Sequence, residues 1–117
     1  MARRLTEIEK IIEKYASVLK EYGISVEKIF LFGSFAAGTA LEHSDIDLLV
    51  ISQDFSEMNL RERLEILGEA AVDLMEPIEA KGYTPEEIKP GNIPEAGFLD
   101  EIFNHSRYIE YEVNAPS

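Results

Sequence analysis

Apolar residues recur at intervals of three and four over residues 5–22, and this period predicts an amphipathic helix. Charged residues occupy the intervening positions and indicate a solvated opposite face. Thr6 and Glu9 have the spacing of a capping box near the start of this helix, although the helix could begin earlier, and Gly23 is expected to end it. Residues 24–27 are then predicted to link the helix to a strand.

The period changes where two short apolar runs follow. Residues 29–32 are continuously apolar and rich in aromatic side chains, which favours a buried strand. Gly33 then turns the chain, and Ser34 is predicted to stand at or near the N-cap of a short helix that Gly38 closes. Residues 45–52 are interpreted as the second strand. The two runs therefore predict a strand, a short helix and another strand.

A second amphipathic helix is predicted after a polar loop at residues 53–58. Asn59 and Glu62 have capping-box spacing at its start, and Pro77 is expected to stop it. Its predicted inward-facing positions form a helical stripe: Leu60, Leu64, Leu67, Ala71 and Leu74. Residues 78–83 follow as a third, short strand.

The segment after this strand contains a strong helix-start pattern. Thr84, Pro85 and Glu87 have the arrangement of a capped N-terminus, with proline at the first helical position. The predicted helix is brief because Pro90 and Gly91 follow closely.

The end of the chain predicts one more helix and one more strand. Residues 94–104 favour a helix whose inward-facing residues are Phe98, Leu99, Ile102 and Phe103. Residues 107–113 alternate apolar and charged positions and predict a final strand, and residues 114–117 are expected to be frayed. The sum is an α/β or α+β domain with a small mixed sheet.

Composition limits what such a domain can do. The 117 residues are predicted to form one domain, 1–117, with a modest core. The chain has 23 acidic and 11 basic residues, and its net charge of −12 argues against an extended surface for binding nucleic acid. Without cysteine, neither a disulfide framework nor a thiolate metal site can form. No apolar run approaches a membrane span and no signal-peptide core follows residues 1–4, so a cytoplasmic protein is expected.

The two strands and their turn carry the candidate chemistry. Asp45 and Asp47 alternate with Ile46 and project from one face of their strand. Two neighbouring carboxylates repel each other unless a cation lies between them, and Mg²⁺ prefers oxygen ligands that include substrate phosphates. Free backbone N–H groups near Ser34 would favour a phosphate anion. The combination predicts metal-assisted transfer from a nucleoside triphosphate.

Each half of this pattern also has an ordinary structural interpretation. Gly33 and Ser34 could form a simple strand-to-helix turn, and an Asp-x-Asp pair could lie solvated at the end of a strand. Their occurrence in this order, with ten residues between Ser34 and Asp45, favours the functional interpretation.

This arrangement resembles the signature of the minimal nucleotidyltransferase family, within the DNA polymerase beta-like superfamily. The matching residues are Gly33 and Ser34, then Asp45 and Asp47, with further matches at Gly38, Ser44 and residues 48–50. The resemblance implies a central sheet with helices mainly on one side. A Walker A loop does not fit, because Thr39 and Ala40 stand where Lys and Ser or Thr are needed.

The resemblance also implies a third carboxylate on a strand next to the aspartate pair. Glu79 and Asp73 are the two candidates. Glu79 is preferred because it lies in the predicted strand 78–83, whereas Asp73 lies within the second amphipathic helix. The alternative interpretation of Glu79 is an exposed strand residue paired with Lys81.

By this resemblance the chain would move a nucleoside monophosphate, AMP from ATP, to an acceptor hydroxyl and release pyrophosphate. Gly33 and Ser34 would hold the triphosphate, while Asp45, Asp47 and Glu79 would bind Mg²⁺ and carry catalysis. The implied acceptor is a protein partner, a HEPN-type ribonuclease toxin that this chain would modify as its antitoxin; a homo-oligomer is left open. Two alternatives remain: a non-catalytic module that neutralises its partner by binding, and a small-molecule nucleotidyltransferase acting on an alcohol such as an aminoglycoside.

Overall fold

Four α-helices and four strands make up residues 4–113, the part of the chain that the computed structural model describes. Short 3₁₀ segments lie at Gln53–Glu57 and Pro90–Asn92. The predicted frayed end, 114–117, lies outside the described residues. In chain order the elements are α1 Leu5–Glu21, β1 Lys28–Phe32, α2 Gly33–Ala37, β2 Ile46–Ile51, α3 Leu60–Leu74, β3 Ile78–Tyr83, α4 Phe98–His105 and β4 Ile109–Glu112.

The four strands form one mixed sheet in the order β3-β2-β1-β4. Strand β1 pairs antiparallel with both β2 and β4, and β2 pairs parallel with β3. The parallel pair needs a crossover, which α3 supplies between β2 and β3. The mixed sheet and the α+β class confirm the predicted fold class, and all four predicted strands are present.

The sheet buries both of its faces, because successive side chains of a strand point to opposite sides. On one face Ile29, Leu48 and Val50 pack with the apolar sides of α1 and α3 in the main core. On the other face Phe30 and Leu49 pack with α4 in a smaller cluster. Two long helices therefore cover one side and one short helix covers part of the other. None of the helices in residues 4–113 is long and apolar enough to cross a membrane.

Helix α1 confirms the predicted period, although its start differs from the prediction. Ile8, Tyr15 and Leu19 are fully buried, and the Tyr15 hydroxyl donates to the Leu67 carbonyl of α3 at 2.7 Å. The residue before the helix is Arg4, which makes no side-chain cap hydrogen bond. The capping box predicted at Thr6 and Glu9 is therefore wrong, since both residues already lie inside the helix.

Helix α3 begins as predicted, and Leu67 and Ala71 of its predicted inward-facing stripe are buried, but the first part of the stripe is not. Asn59 and Glu62 form a complete capping box, with hydrogen bonds of 2.8 and 2.9 Å. Leu60 and Leu64 were predicted to face inward and are instead exposed. Arg63 takes a buried position, where it donates to the Gly82 carbonyl at 3.2 Å and pairs with Glu87 at 2.7 Å.

The helices predicted from residues 84 and 94 do not form at those positions. Thr84 and Glu87 exchange the two hydrogen bonds of a capping box, at 2.7 and 3.2 Å, yet the chain continues only as a turn. Helix α4 begins at Phe98, four residues later than predicted, because Ala96 adopts a left-handed conformation with φ of +59°. Phe98, predicted to face inward, is partly exposed.

Candidate active site

The turn between β1 and α2 lies directly against an acidic side chain of β2. Phe32, the last residue of β1, pairs with Asp47 in the antiparallel register. The next residue, Gly33, has φ of +71°, and a Cβ there would lie 2.9 Å from Asp47 Cγ and closer still to its carboxylate oxygen. Glycine is therefore required at this position by its backbone conformation and by the Asp47 carboxylate.

Ser34 lies two residues further into α2 than the N-cap predicted for it. The N-cap is Phe32, and Ser34 is the second residue of the helix, with its side chain partly exposed. Its carbonyl accepts a hydrogen bond from Thr39 N at 2.9 Å. Gly38 closes the helix in a left-handed conformation, as predicted.

Asp45 occupies the residue just before β2, at the end of a hydrogen-bonded turn. Leu41 N donates to the Ser44 hydroxyl at 2.8 Å, and Ser44 N donates back to the Leu41 carbonyl at 3.1 Å. Ile46 N then donates to the Pro77 carbonyl at 2.8 Å, which starts the pairing of β2 with β3. The Asp45 side chain is exposed at this edge of the sheet.

Glu79 is brought next to Asp47 by the parallel register of β2 and β3. The two residues are direct partners, so their side chains share one face of the sheet. Asp73, the other candidate for the third carboxylate, lies on α3 and accepts a hydrogen bond from the Tyr22 hydroxyl of α1. The predicted strand position of Glu79 is confirmed, and its role in a site stays a prediction.

Asp47 holds its negative charge at an energetic cost. Burial, followed by the charges of Glu79 and Asp45, raises the pKa of its carboxyl to about 6, while Lys81 acts in the opposite direction. Burial and the two neighbouring carboxylates disfavour the ionised form relative to the protonated one. The electrostatics therefore favour a cation close to Asp47.

The donor set at this edge suits a hard divalent cation shared with a substrate. Among residues 4–113, no three histidine, aspartate or glutamate side chains are grouped closely enough to hold a metal ion by themselves. Mg²⁺ is usually bound by one or two carboxylates together with waters and substrate phosphates. Asp47 together with one neighbouring carboxylate, that of Asp45 or of Glu79, would fit that description.

Two further side chains lie beside the carboxylates: Lys81, which the sequence placed two residues after Glu79, and Phe98, which was not predicted in this region. Lys81, two residues after Glu79 on the same face of β3, places its ammonium 4.7 Å from the centre of the Phe98 ring. Phe98 in turn packs edge-on against Phe32, with 5.7 Å between ring centres. The period-two spacing of Lys81 from Glu79 was the available signal for its position. The contact with Phe98 depends on α4, which is distant in sequence.

Comparison with known protein families identifies the class to which this arrangement belongs. The model of the family described as "Nucleotidyltransferase domain" matches residues 9–109. The chain therefore belongs to the nucleotidyltransferase domain family.

Individual relatives carry more specific names. The protein adenylyltransferase MntA of Thermococcus cleftensis is 40% identical over 78 residues, which cover 61% of this chain and 75% of that protein. A "Putative protein adenylyltransferase" of Methanocaldococcus jannaschii is 37% identical over 65 residues, or 56% of this chain. The match spans 64% of the length of that second relative, less than two thirds of it.

A solved structure has the same fold. The crystal structure of a "putative nucleotidyltransferase" from Sulfolobus solfataricus superposes with a TM-score of 0.53 and 24% identity. The superposition covers 67% of this chain and 68% of that chain. This likeness supports the architecture of the sheet and its helices.

Proposed function

We propose that this chain transfers AMP from ATP to a hydroxyl group of a protein, with a divalent cation bound at Asp47. The observation that carries the proposal is the contact of Gly33 with the Asp47 carboxylate, opposite Glu79. It brings the candidate phosphate turn and the candidate metal ligands together. The family membership supports nucleotidyl transfer, and the names of the two relatives support a protein as the acceptor.

The reaction exchanges one bond at the α-phosphorus for another and builds up negative charge on the leaving group. The acceptor hydroxyl oxygen forms a bond to the α-phosphorus of ATP, and the bond from that phosphorus to the bridging oxygen breaks. Pyrophosphate leaves with the bonding electrons, and the hydroxyl proton passes to a base. Negative charge grows on the leaving oxygen, where a cation stabilises it when bound.

In this proposal each residue has a separate task. Gly33 and Ser34 hold the β- and γ-phosphates, since the glycine lets the backbone approach them closely. Asp45 and Asp47 would hold Mg²⁺, whose charge would offset the burial and the carboxylate repulsion that raise the pKa of Asp47. Glu79 accepts the hydroxyl proton or binds a second ion, because it lies on the same face as Asp47.

The protein acceptor follows from the resemblance and from the relatives' names. A HEPN-type ribonuclease toxin, modified by this chain as its antitoxin, is the specific partner we propose. The net charge of −12 suits a protein partner with a basic surface better than a nucleic acid.

Calorimetric titration of ATP into the full chain, with and without Mg²⁺, tests the site. The wild type is expected to bind only with Mg²⁺, and the double variant Asp45→Asn/Asp47→Asn is expected to lose binding. Asp54 is an exposed acidic residue outside the site. Asp54→Asn therefore serves as the control and should bind ATP like the wild type. No binding by the wild type, alone or with its partner, would leave the non-catalytic module as the better interpretation.

A second pair of variants tests the third carboxylate. Glu79→Gln should lower the rate of AMP transfer by about 100-fold or more, as removal of a base or metal ligand commonly does. Asp73→Asn should leave the rate at saturating acceptor unchanged, since Asp73 contacts Tyr22 at the end of α1. A rate that falls in Asp73→Asn and not in Glu79→Gln would reverse the assignment.

A further inference from the structure

The outer face of α3 carries a row of apolar side chains that nothing in residues 4–113 covers. Leu60, Leu64, Gly68 and Val72 follow one another at intervals of four, so they share one face of the helix, and the exposed C-cap residue Met75 follows them. The four larger side chains are 64%, 53%, 74% and 87% exposed, in that order. We call this row the outer ridge. A contiguous exposed apolar surface of this kind is typical of an interaction site.

Gly68, at the middle of the outer ridge, is a separate observation that indicates an approaching chain. Glycine weakens a helix interior relative to alanine, yet α3 has a well-formed capping box and continues through Gly68. A Cβ at this position would meet nothing within 4 Å, and its backbone is not in the left-handed region. Neither packing nor backbone conformation within the chain requires glycine here. A second helix crossing the ridge at close range would require it.

One flank of the outer ridge is acidic, and it indicates the charge of the occupant. Glu62, Glu65, Glu69 and Asp73 are exposed along that side of α3. Arg61 offsets part of this charge through an exposed pair with Glu65 at 3.2 Å. The helix's other arginine, Arg63, is buried against Glu87. We call the four acidic residues the acidic flank, and a basic partner complements it.

A second copy of this chain fits the ridge less well than a basic partner. If two α3 helices packed antiparallel across Gly68, the acidic flank of one would lie beside the acidic flank of the other. Glu65 and Glu69 of both copies would then approach each other, in molecules that each carry a net charge of −12. Like charges at such a contact oppose association.

We infer that the outer ridge docks a helix of a basic protein partner. The partner's apolar residues lie along Leu64 and Val72, its backbone approaches Gly68, and its lysine or arginine side chains lie along the acidic flank. This is the helix-in-groove mode of recognition, in which apolar anchors supply affinity and charges supply specificity.

The outer ridge ends near the end of β2 that carries the candidate metal ligands. Met75 lies two residues before Pro77, whose carbonyl accepts the Ile46 N–H at 2.8 Å. Ile46 separates Asp45 from Asp47. A partner bound along α3 therefore reaches the end of β2 that carries the two aspartates, whose side chains project from the face of the sheet opposite α3. The inference concerns the partner in the proposed function, but it is tested by binding alone, so the two can fail separately.

The experiment uses a synthetic helix of leucine and lysine only, 15 residues long like α3, with its leucines in one stripe. Fluorescence anisotropy measures its binding to the full chain. The same peptide with glutamate in place of lysine, and a scrambled leucine-lysine peptide, should bind at least about tenfold more weakly. Equal binding of the scrambled peptide would mean a nonspecific charge effect and would overturn the inference.

Variants of the chain locate the contact. Gly68→Leu and the double variant Leu64→Gln/Val72→Gln should each weaken binding about tenfold or more. Leu41→Gln, an equally exposed apolar position outside α3, should bind like the wild type. Gly68→Ala should raise the melting temperature and still weaken binding, which a purely structural role of Gly68 would not produce. Unchanged binding in the Gly68 and Leu64/Val72 variants would overturn the inference.

Analytical ultracentrifugation of the full chain tests whether a second copy of the chain, and not a basic partner, covers the outer ridge. A monomer is expected for the wild type and for Gly68→Leu. A wild-type dimer that Gly68→Leu converts to monomer would assign the outer ridge to a second copy and overturn the basic partner. Peptide binding that persists in Asp45→Asn/Asp47→Asn is expected, since neither residue belongs to the ridge.

Discussion

Gly33 and Gly68 differ in what surrounds the point where a side chain would begin. At Gly33 the space is taken by the Asp47 carboxylate, and the left-handed backbone further excludes other residues. At Gly68 the space is open and the backbone is helical. The fold explains the first glycine and not the second. The first glycine is required by a contact within the chain, whereas the second leaves space that an outside contact could use.

The strongest test of this contrast is Gly33→Ala. Its left-handed backbone and the overlap with Asp47 should together lower the free energy of unfolding by about 3 kcal/mol. Urea denaturation measures the loss. Gly23→Ala is the matched control, because Gly23 has φ of +90° but nothing within 4 Å of its Cβ position. Gly23→Ala should lower the free energy of unfolding only by the cost of the left-handed backbone, about 1 kcal/mol. Equal losses in the two variants would contradict a role for the Asp47 contact.

The affinity of the candidate active site for ATP should also depend on pH, whereas peptide binding at the outer ridge should not. Because the pKa of Asp47 is raised to about 6, its carboxylate is protonated below that pH and a cation must displace the proton. The affinity for ATP with Mg²⁺ should fall about tenfold for each pH unit below about 6. Calorimetry at several pH values checks this, and a flat profile from pH of about 7 to about 5 would contradict it.

Asp47→Asn should make the metal-free protein more stable near neutral pH. A raised pKa means that the folded state binds the proton more tightly than the unfolded state, so ionisation of Asp47 destabilises the fold as pH rises from the ordinary value of 3.8 through about 6. After allowance for solvent screening, removing that charge should add about 1 kcal/mol at pH 7. Thermal unfolding with a chelator measures the gain, which should vanish near pH 4; a loss of stability at pH 7 would contradict the account.

The smallest expected effect is at Gly68. Gly68→Ala should raise the free energy of unfolding by about 0.5–1 kcal/mol, since alanine favours the helix and its Cβ meets nothing. Gly38→Ala, at an equally open but left-handed position, should lower it. Urea denaturation of the two variants gives the comparison. If Gly68→Ala were destabilising, the chain itself would require that glycine and the contrast with Gly33 would be lost.

Local patterns predicted most of the elements of this fold. The alternation around Asp45 and Asp47, and the short run ending at Tyr83, located β2 and β3 to within a residue of each end. The capping box at Asn59 and Glu62 located the start of α3. These features depend on neighbours two to four residues apart, which the sequence presents directly.

Other features could not be predicted because they depend on distant contacts. Leu60 and Leu64 have the spacing of core residues, but α1 and the sheet pack on the side of α3 that includes Leu67 and Arg63. Thr84 and Glu87 form a capping box without a helix, since Glu87 also binds Arg63 and Pro90 follows. In both cases contacts with distant residues determined the structure, and the local sequence pattern did not.

For the candidate site, the sequence by itself determined the residue types, their order and the spacing from Gly33 and Ser34 to Asp45 and Asp47. Only the tertiary structure decided that the Asp47 carboxylate lies against Gly33 and that Glu79 is its partner across the parallel strands. It also decided which face of α3 stays exposed. The physical reason is that strand register and helix orientation follow from burial of apolar surface across the whole chain, whereas turns and caps follow from bonds between near neighbours.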